Sequence, residues 1–317
     1  MLCADRLNCS VPARCCNRFM NTSLPSLFVS HGSPMIALEP GEAGAFMQRL
    51  GPAIDATFGR PKAILAISAH TAARAPVLLA AAKHEAIYDF GNFDPQLFTL
   101  RYDAPGAPQL AASVAALLAR AAIPVHTTSD GGLDHGIWTV LRYLYPNADI
   151  PVLPLAFVPS QSPGTQFALG AALAPLAEQG VLVIGTGSIT HNLRRALAGG
   201  LRPTVNPPEI PESAAFRQWM LARAEALDWD ALFAYRTSAP HAVDMHPSDE
   251  HLLPWFVAAG AGGTQNPPRR LHDSVTMGCL GMDAYAFGPT ADDLLRALQS
   301  NLQPDYAGVA ARKMNAI

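Results

Sequence analysis

Cysteine is nearly missing from the body of this 317-residue chain. Cys3, Cys9, Cys15 and Cys16 crowd at the amino terminus, and Cys279 stands alone beyond them. One cysteine supports no disulfide framework, so the body is expected to belong to a reducing, cytoplasmic compartment. The four amino-terminal cysteines form no paired C-x-x-C knuckle, and adjacent Cys15 and Cys16 suit a single tetrahedral zinc site poorly. Charge is scarce as well: 15% of residues are charged and the formal net charge is -3. No broad basic surface is therefore available to a phosphate backbone, which argues against nucleic acid as a partner. No uninterrupted apolar run reaches the roughly 18 residues of a membrane span. The first two dozen residues also lack the apolar core of a secretory signal.

What the chain has is apolar mass, with 50% hydrophobic residues, enough for a large buried core. Short apolar runs read as buried strands at Leu27 to Ser30, Ala63 to Ser68, Val152 to Val158 and Val181 to Ile184, with a last strand over Ser274 to Tyr285. Between them, helical patterns are expected at Ala45 to Ile54, Leu110 to Ala122, Trp138 to Leu144, Phe167 to Glu178, Ser213 to Leu227 and His251 to Ala259. This alternation predicts a single three-layer α/β/α domain on a central parallel or mixed sheet. Residues 1–25 read as a leader, with Met20 a plausible true start. The domain is expected over 26–288, and a helical tail over 289–317.

Three of the apolar strands end alike, with small residues and then a histidine: LFVSH at His31, ILAISAH at His70 and VLVIGTGSITH at His191. Ligands of α/β sheets bind beyond the carboxyl ends of the strands, so three such imidazoles can meet at one point. A shared metal or catalytic site is the reading they support together. His251 is a fourth candidate, expected in the first turn of a helix capped by Ser248 or Asp249. Successive helical side chains diverge by about 100°, so either His251 or its neighbour Glu250 is expected to face the site. His135 sits between glycines in LDHGIW and reads as an acid/base, with Asp134 to fix its tautomer. His84, His126, His241, His246 and His272 lack such settings and are expected on loops or the surface. A nitrogen-rich, thiolate-free ligand set suits Fe(II), Zn(II), Mn(II) or copper.

SHGSPM (30–35), SAH (68–70), YDFGNF (88–93), LDHGIW (133–138), GTGSITHNL (185–193) and EHLLPW (250–255) occur in one order. Together they resemble the class III extradiol ring-cleavage dioxygenases, on the branch that includes DOPA 4,5-dioxygenases, from about Ser26 to about Phe287. The resemblance implies one mononuclear ion, Fe(II) for turnover or Zn(II), held by His31 and His70. The third ligand position, a glutamate in the wider superfamily, maps to His251. His191 matches the superfamily's acid/base histidine and is carried both in that role and as a ligand. The implied partners are O₂ and a small aromatic diol, opened to a semialdehyde acid. Tyr88, Phe90, Phe93 and Trp138 would wall a flat-ring pocket or else serve as ordinary core. Two rival readings stay open: a zinc hydrolase using metal-bound water, and a metal-free binding protein on the same fold. A serine hydrolase is disfavoured because no G-x-S-x-G elbow surrounds Ser33. A dinucleotide loop is disfavoured because Thr190 stands where G-x-G-x-x-G needs its third glycine.

Overall fold

The central sheet is built from strands whose alternate side chains feed two separate apolar clusters. In β1 (Ser26–Ser30), Phe28 enters one cluster while Leu27 and Val29 enter the other. In β2 (Ala63–Ser68), Leu65 and Ile67 take the first side and Ile64 and Ala66 the second. Side chains of a strand alternate between faces, so a run apolar at every position must be covered on both. This is a computed structural model; it describes residues 23–199 and 206–300. The four amino-terminal cysteines, Met20 and the expected tail beyond residue 300 lie outside the described residues.

The remaining strands of this sheet are β3 (Val77–Leu79), β4 (His126–Thr128), β5 (Val152–Ala156), β6 (Val181–Gly187), β7 (Arg269–His272) and β8 (Ala284–Phe287). Their spatial order is β4-β3-β5-β2-β6-β1-β8-β7. The inner strands β5, β2, β6 and β1 run parallel. Antiparallel pairs β3/β5, β1/β8 and β8/β7 make the sheet mixed.

The helices of ten or more residues are α1 (Gly41–Phe58), α2 (Pro108–Arg120), α3 (His135–Leu144), α4 (Pro163–Leu173), α5 (Pro211–Glu225), α6 (Leu253–Gly262) and α7 (Ala291–Ser300). Apolar residues of α2, α4, α5 and α6 fill the first cluster, and those of α1, α3 and α7 the second. The result is the expected three-layer α/β/α domain. Among the described residues, no helix is long and apolar enough to cross a membrane.

Two expected elements are corrected. The strand expected over Ser274 to Tyr285 is a hairpin, Val275–Thr276 against Leu280–Gly281, followed by β8. The chain reverses where Met277 and Gly278 take φ of 53° and 71°, which no strand tolerates. Asp283 then turns inward to the buried Arg217 of α5, which also binds Glu209 and Asp273. The helix expected from His251 begins at Leu253, with Pro254 in its first positions, where proline's fixed φ is favourable. His251 therefore lies in the turn before the helix and not in its first turn.

Candidate metal centre

Register decides which strand ends share a level. Ser30 pairs with Gly187 across β1/β6, and Ser68 with Thr186 across β2/β6. His31 follows Ser30 directly and His70 lies two residues past Ser68, so both emerge at the same edge. Gly187 brings the third histidine. A Cβ there would lie 2.0 Å from the His251 carbonyl oxygen, so only glycine lets the turn before α6 rest on the strand. The Ser188 amide then donates to that same carbonyl at 2.9 Å.

The ligand nitrogens of His31, His70 and His251 all lie within 4.8 Å of one another. Two more groups share members with this one: His70, Asp89 and His135, and His191, Glu250 and His251. Every strand-end or turn histidine singled out from sequence (His31, His70, His135, His191 and His251) thus reaches one cluster. His191 stacks face to face on His251, with ring centroids 3.4 Å apart. It joins Glu250 and His251 without forming a group with His31 and His70.

Outer partners set the tautomers. Thr186 Oγ1 donates to the Gly136 carbonyl, so it accepts from His31 Nδ1 at 2.9 Å. His251 Nδ1 lies 3.0 Å from a Glu250 carboxylate oxygen, and His135 Nδ1 lies 3.0 Å from both oxygens of Asp89. A carboxylate only accepts, so each Nδ1 carries the hydrogen and each Nε2 keeps its lone pair. His31 Nε2 faces His70 Nε2 at 3.1 Å, and His70 Nδ1 lies 3.7 Å from Asp89. At this distance either the His70 Nε2 carries a hydrogen and donates to the His31 Nε2, or a cation takes the place of that hydrogen between two lone pairs. Imidazoles anchored at Nδ1 by carboxylate or hydroxyl partners are the usual support of a metal-ligating Nε2. The donor set therefore fits a divalent ion.

The electrostatics agree. Burial, followed by the neighbouring His70 and His135, holds the His31 imidazole well below its ordinary pKa. Burial and the neighbouring His135 lower His70 to about 3, and burial and His251 lower His191 to about 2. Burial also lowers His251, against the opposing pull of Glu250. The hydrogen bond from His251 holds Glu250 at about 2. Neutral imidazoles beside ionised carboxylates are the state a cation requires.

Three expectations are corrected here. Asp134 does not orient His135: it accepts from the Ser68 and Thr71 hydroxyls and caps α3 at the Ile137 amide. Asp89, which sequence reasoning passed over inside the aromatic loop 88–93, takes that part. Glu250 and His251 both face the cluster, because the one-sided rule of a helix does not hold in a turn. His84 and His246 are buried and not superficial. His84 Nδ1 accepts from the Gly132 amide, and His246 Nε2 lies 2.7 Å from the Ile189 carbonyl.

Of the expected ring-pocket residues, Trp138 is fully buried and donates to the Ile87 carbonyl, so it is core. Phe90 stands edge-on to His135 at 5.6 Å and packs with Tyr88, Phe93 and Phe98. A cavity of about 840 Å³ opens at Gly32, one residue past His31, and runs to Met277 on the hairpin. The five histidines do not line it.

A mixed α/β/α sheet with imidazoles gathered beyond its parallel strand ends defines a metal-site enzyme architecture. The comparison with known families gives the particular one. Residues 25–288 match the model described as the catalytic LigB subunit of aromatic ring-opening dioxygenase, and the chain belongs to this family. It is 37% identical to the 4,5-DOPA dioxygenase extradiol of Beta vulgaris, over 84% of this chain and 97% of the relative. It is 33% identical to the 4,5-DOPA dioxygenase extradiol of Escherichia coli K12, over 84% of this chain and 96% of the relative. The crystal structure of an uncharacterized Escherichia coli K12 protein superposes with a TM-score of 0.67 at 30% identity, covering 84% of this chain and all of that one.

Proposed function

We propose that this family member is a metal-dependent extradiol dioxygenase that opens a catechol-type ring, with DOPA the first substrate to test. His31, His70 and His251 would hold one divalent ion, Fe(II) for turnover with Zn(II) the competing occupant, and His191 stands at the edge of the set. The observation that carries the reading is the convergence of three ligand nitrogens within 4.8 Å, with Nδ1 of His31 and His251 already bonded outward. Bound there, Fe(II) would supply redox chemistry with O₂ and acidify the hydroxyls of a chelated diol.

The chain's own residues supply the rest. His135, with Nδ1 bonded to Asp89, has Nε2 free to take a proton from a diol hydroxyl and return it as the ring opens. His191 is the second residue proposed for proton transfer. Phe90 beside His135 gives a flat substrate an edge to pack on. The overall balance adds both atoms of O₂ to the ring and breaks one carbon–carbon bond beside the diol, giving a semialdehyde acid. The relatives' names support DOPA as substrate, and the absence of thiolates from the cluster supports iron or zinc.

The test is anaerobic purification, loading with Fe(II), and O₂ uptake on DOPA, protocatechuate and gallate derivatives. The expected result is stoichiometric oxygen consumption and a yellow ring-opened product. Full retention of zinc with no oxygen consumption on any catechol would overturn the proposal in favour of hydrolysis.

A further inference from the structure

His135 is buried on the first turn of α3, and a ring in that position needs a partner to decide which nitrogen faces the cluster. The neighbour in sequence, Asp134, is already occupied by Ser68, Thr71 and the Ile137 amide. The partner comes from 46 residues upstream. Asp89 Oδ1 accepts the His135 backbone amide at 2.9 Å, and both Asp89 oxygens lie 3.0 Å from His135 Nδ1. One carboxylate thus holds main chain and side chain of the same residue, at a helix N-terminus where negative charge is favoured. Burial alone would raise the Asp89 carboxyl, and the His135 contacts outweigh it and leave it lowered.

We infer that Asp89 is a positioning residue for the ring-opening reaction: it clamps His135 in the Nδ1–H form and aims the Nε2 lone pair into the histidine cluster. The assignment rests on the role proposed above for His135. The geometry makes the orientation stiff. The His135 ring lies 4.0 Å from that of His70 and 5.6 Å from that of Phe90, its centroid 5.3 Å from His31. Phe90 follows Asp89 directly, so the loop that supplies the carboxylate also supplies the aromatic edge. Asp89 Oδ2 lies 3.7 Å from His70 Nδ1, beyond hydrogen-bond reach, so its hold falls on His135. A neutral ring held this way can act as a base only through Nε2.

Asp89→Asn tests this with little change of shape. The amide oxygen can still accept from the His135 backbone, while its NH₂ turned to Nδ1 favours the opposite tautomer. The first measurement is the ring-nitrogen tautomer of His135 by ¹⁵N NMR in metal-free protein, in mildly alkaline buffer. Wild type should show Nδ1–H, and Asp89→Asn should shift the ring to Nε2–H. In iron-loaded enzyme, kcat of Asp89→Asn should fall by about 10²- to 10⁴-fold, the span known for displaced acid/base and tautomer-fixing groups, with KM little changed. Adding Asp89→Asn to His135→Ala should cost nothing further, because the two act as one unit. Formate should partly restore turnover to Asp89→Ala, which a purely structural role would not allow. Nε2–H in wild type, full turnover in Asp89→Asn, or an additive loss in the double variant would each overturn the assignment. If wild type opens no catechol, the functional proposal fails, yet the wild-type tautomer still decides the role of Asp89 and needs no variant to fold.

Discussion

Replacing Gly187 by alanine should weaken the proposed metal centre without replacing a histidine. The added Cβ would start 2.0 Å from the His251 carbonyl oxygen and 2.9 Å from its carbon, where real Cβ contacts essentially never fall below 3.0 Å. The His251 turn must therefore move by at least about 1 Å, since the opposing backbone atoms cannot rotate away. Ligand distances at a metal tolerate only about 0.2 Å, so the displaced ring no longer closes the set. Overpacking of this kind costs about 1–3 kcal/mol of stability. Loss of support for one ligand weakens metal affinity by about 10- to 100-fold or more. The assay is metal content by plasma mass spectrometry after dialysis, alongside a thermal melt. Gly164→Ala is the matched control: its Cβ would meet nothing closer than 3.7 Å. Gly187→Ala protein that keeps wild-type metal content and melts with the control would refute the packing argument.

Other substitutions separate the roles further. His70→Ala should bind far less metal than wild type, whereas His135→Ala should retain it and lose turnover; full metal content in His70→Ala would remove His70 from the ligand set. Arg217→Met should lower stability by about 1–3 kcal/mol by urea unfolding, because it leaves the buried Asp283, beside Glu209 and Asp273, with only the longer contact to Arg270 at 3.5 Å. An unchanged midpoint would show that those carboxylates find other partners. Burial lowers His246 to about 4, against about 6.5 in an unfolded chain. The unfolded chain therefore takes up the proton first, and stability is whole above about pH 6.5 and falls as the pH drops toward 4. At about 1.4 kcal/mol per unit the loss approaches 3 kcal/mol for this residue alone. His246→Gln should flatten the acid side of the stability curve, and an unaltered slope would contradict the shift.

The sequence by itself determined the layer architecture and the direction of the chemistry. Runs such as AILAIS are apolar at every position, and a strand buried on both faces must lie between two helical layers. Three of those runs end in histidine, a local pattern readable without coordinates. Tertiary structure alone decided the support of the site. Asp134 was the sequence-adjacent carboxylate, yet a side chain serves whichever neighbour the fold presents, and that was Ser68, Thr71 and the α3 cap. Asp89 reaches His135 because the loop after residue 88 folds back over α3. Glu250 and His251 share the site because they occupy a turn, where helical divergence does not apply. His246 and His84 looked superficial because nothing near them in sequence signals burial. Periodicity and strand ends are set by contacts a few residues apart, whereas tautomers, ligand convergence and the close approach at Gly187 depend on strand register and on packing between distant segments.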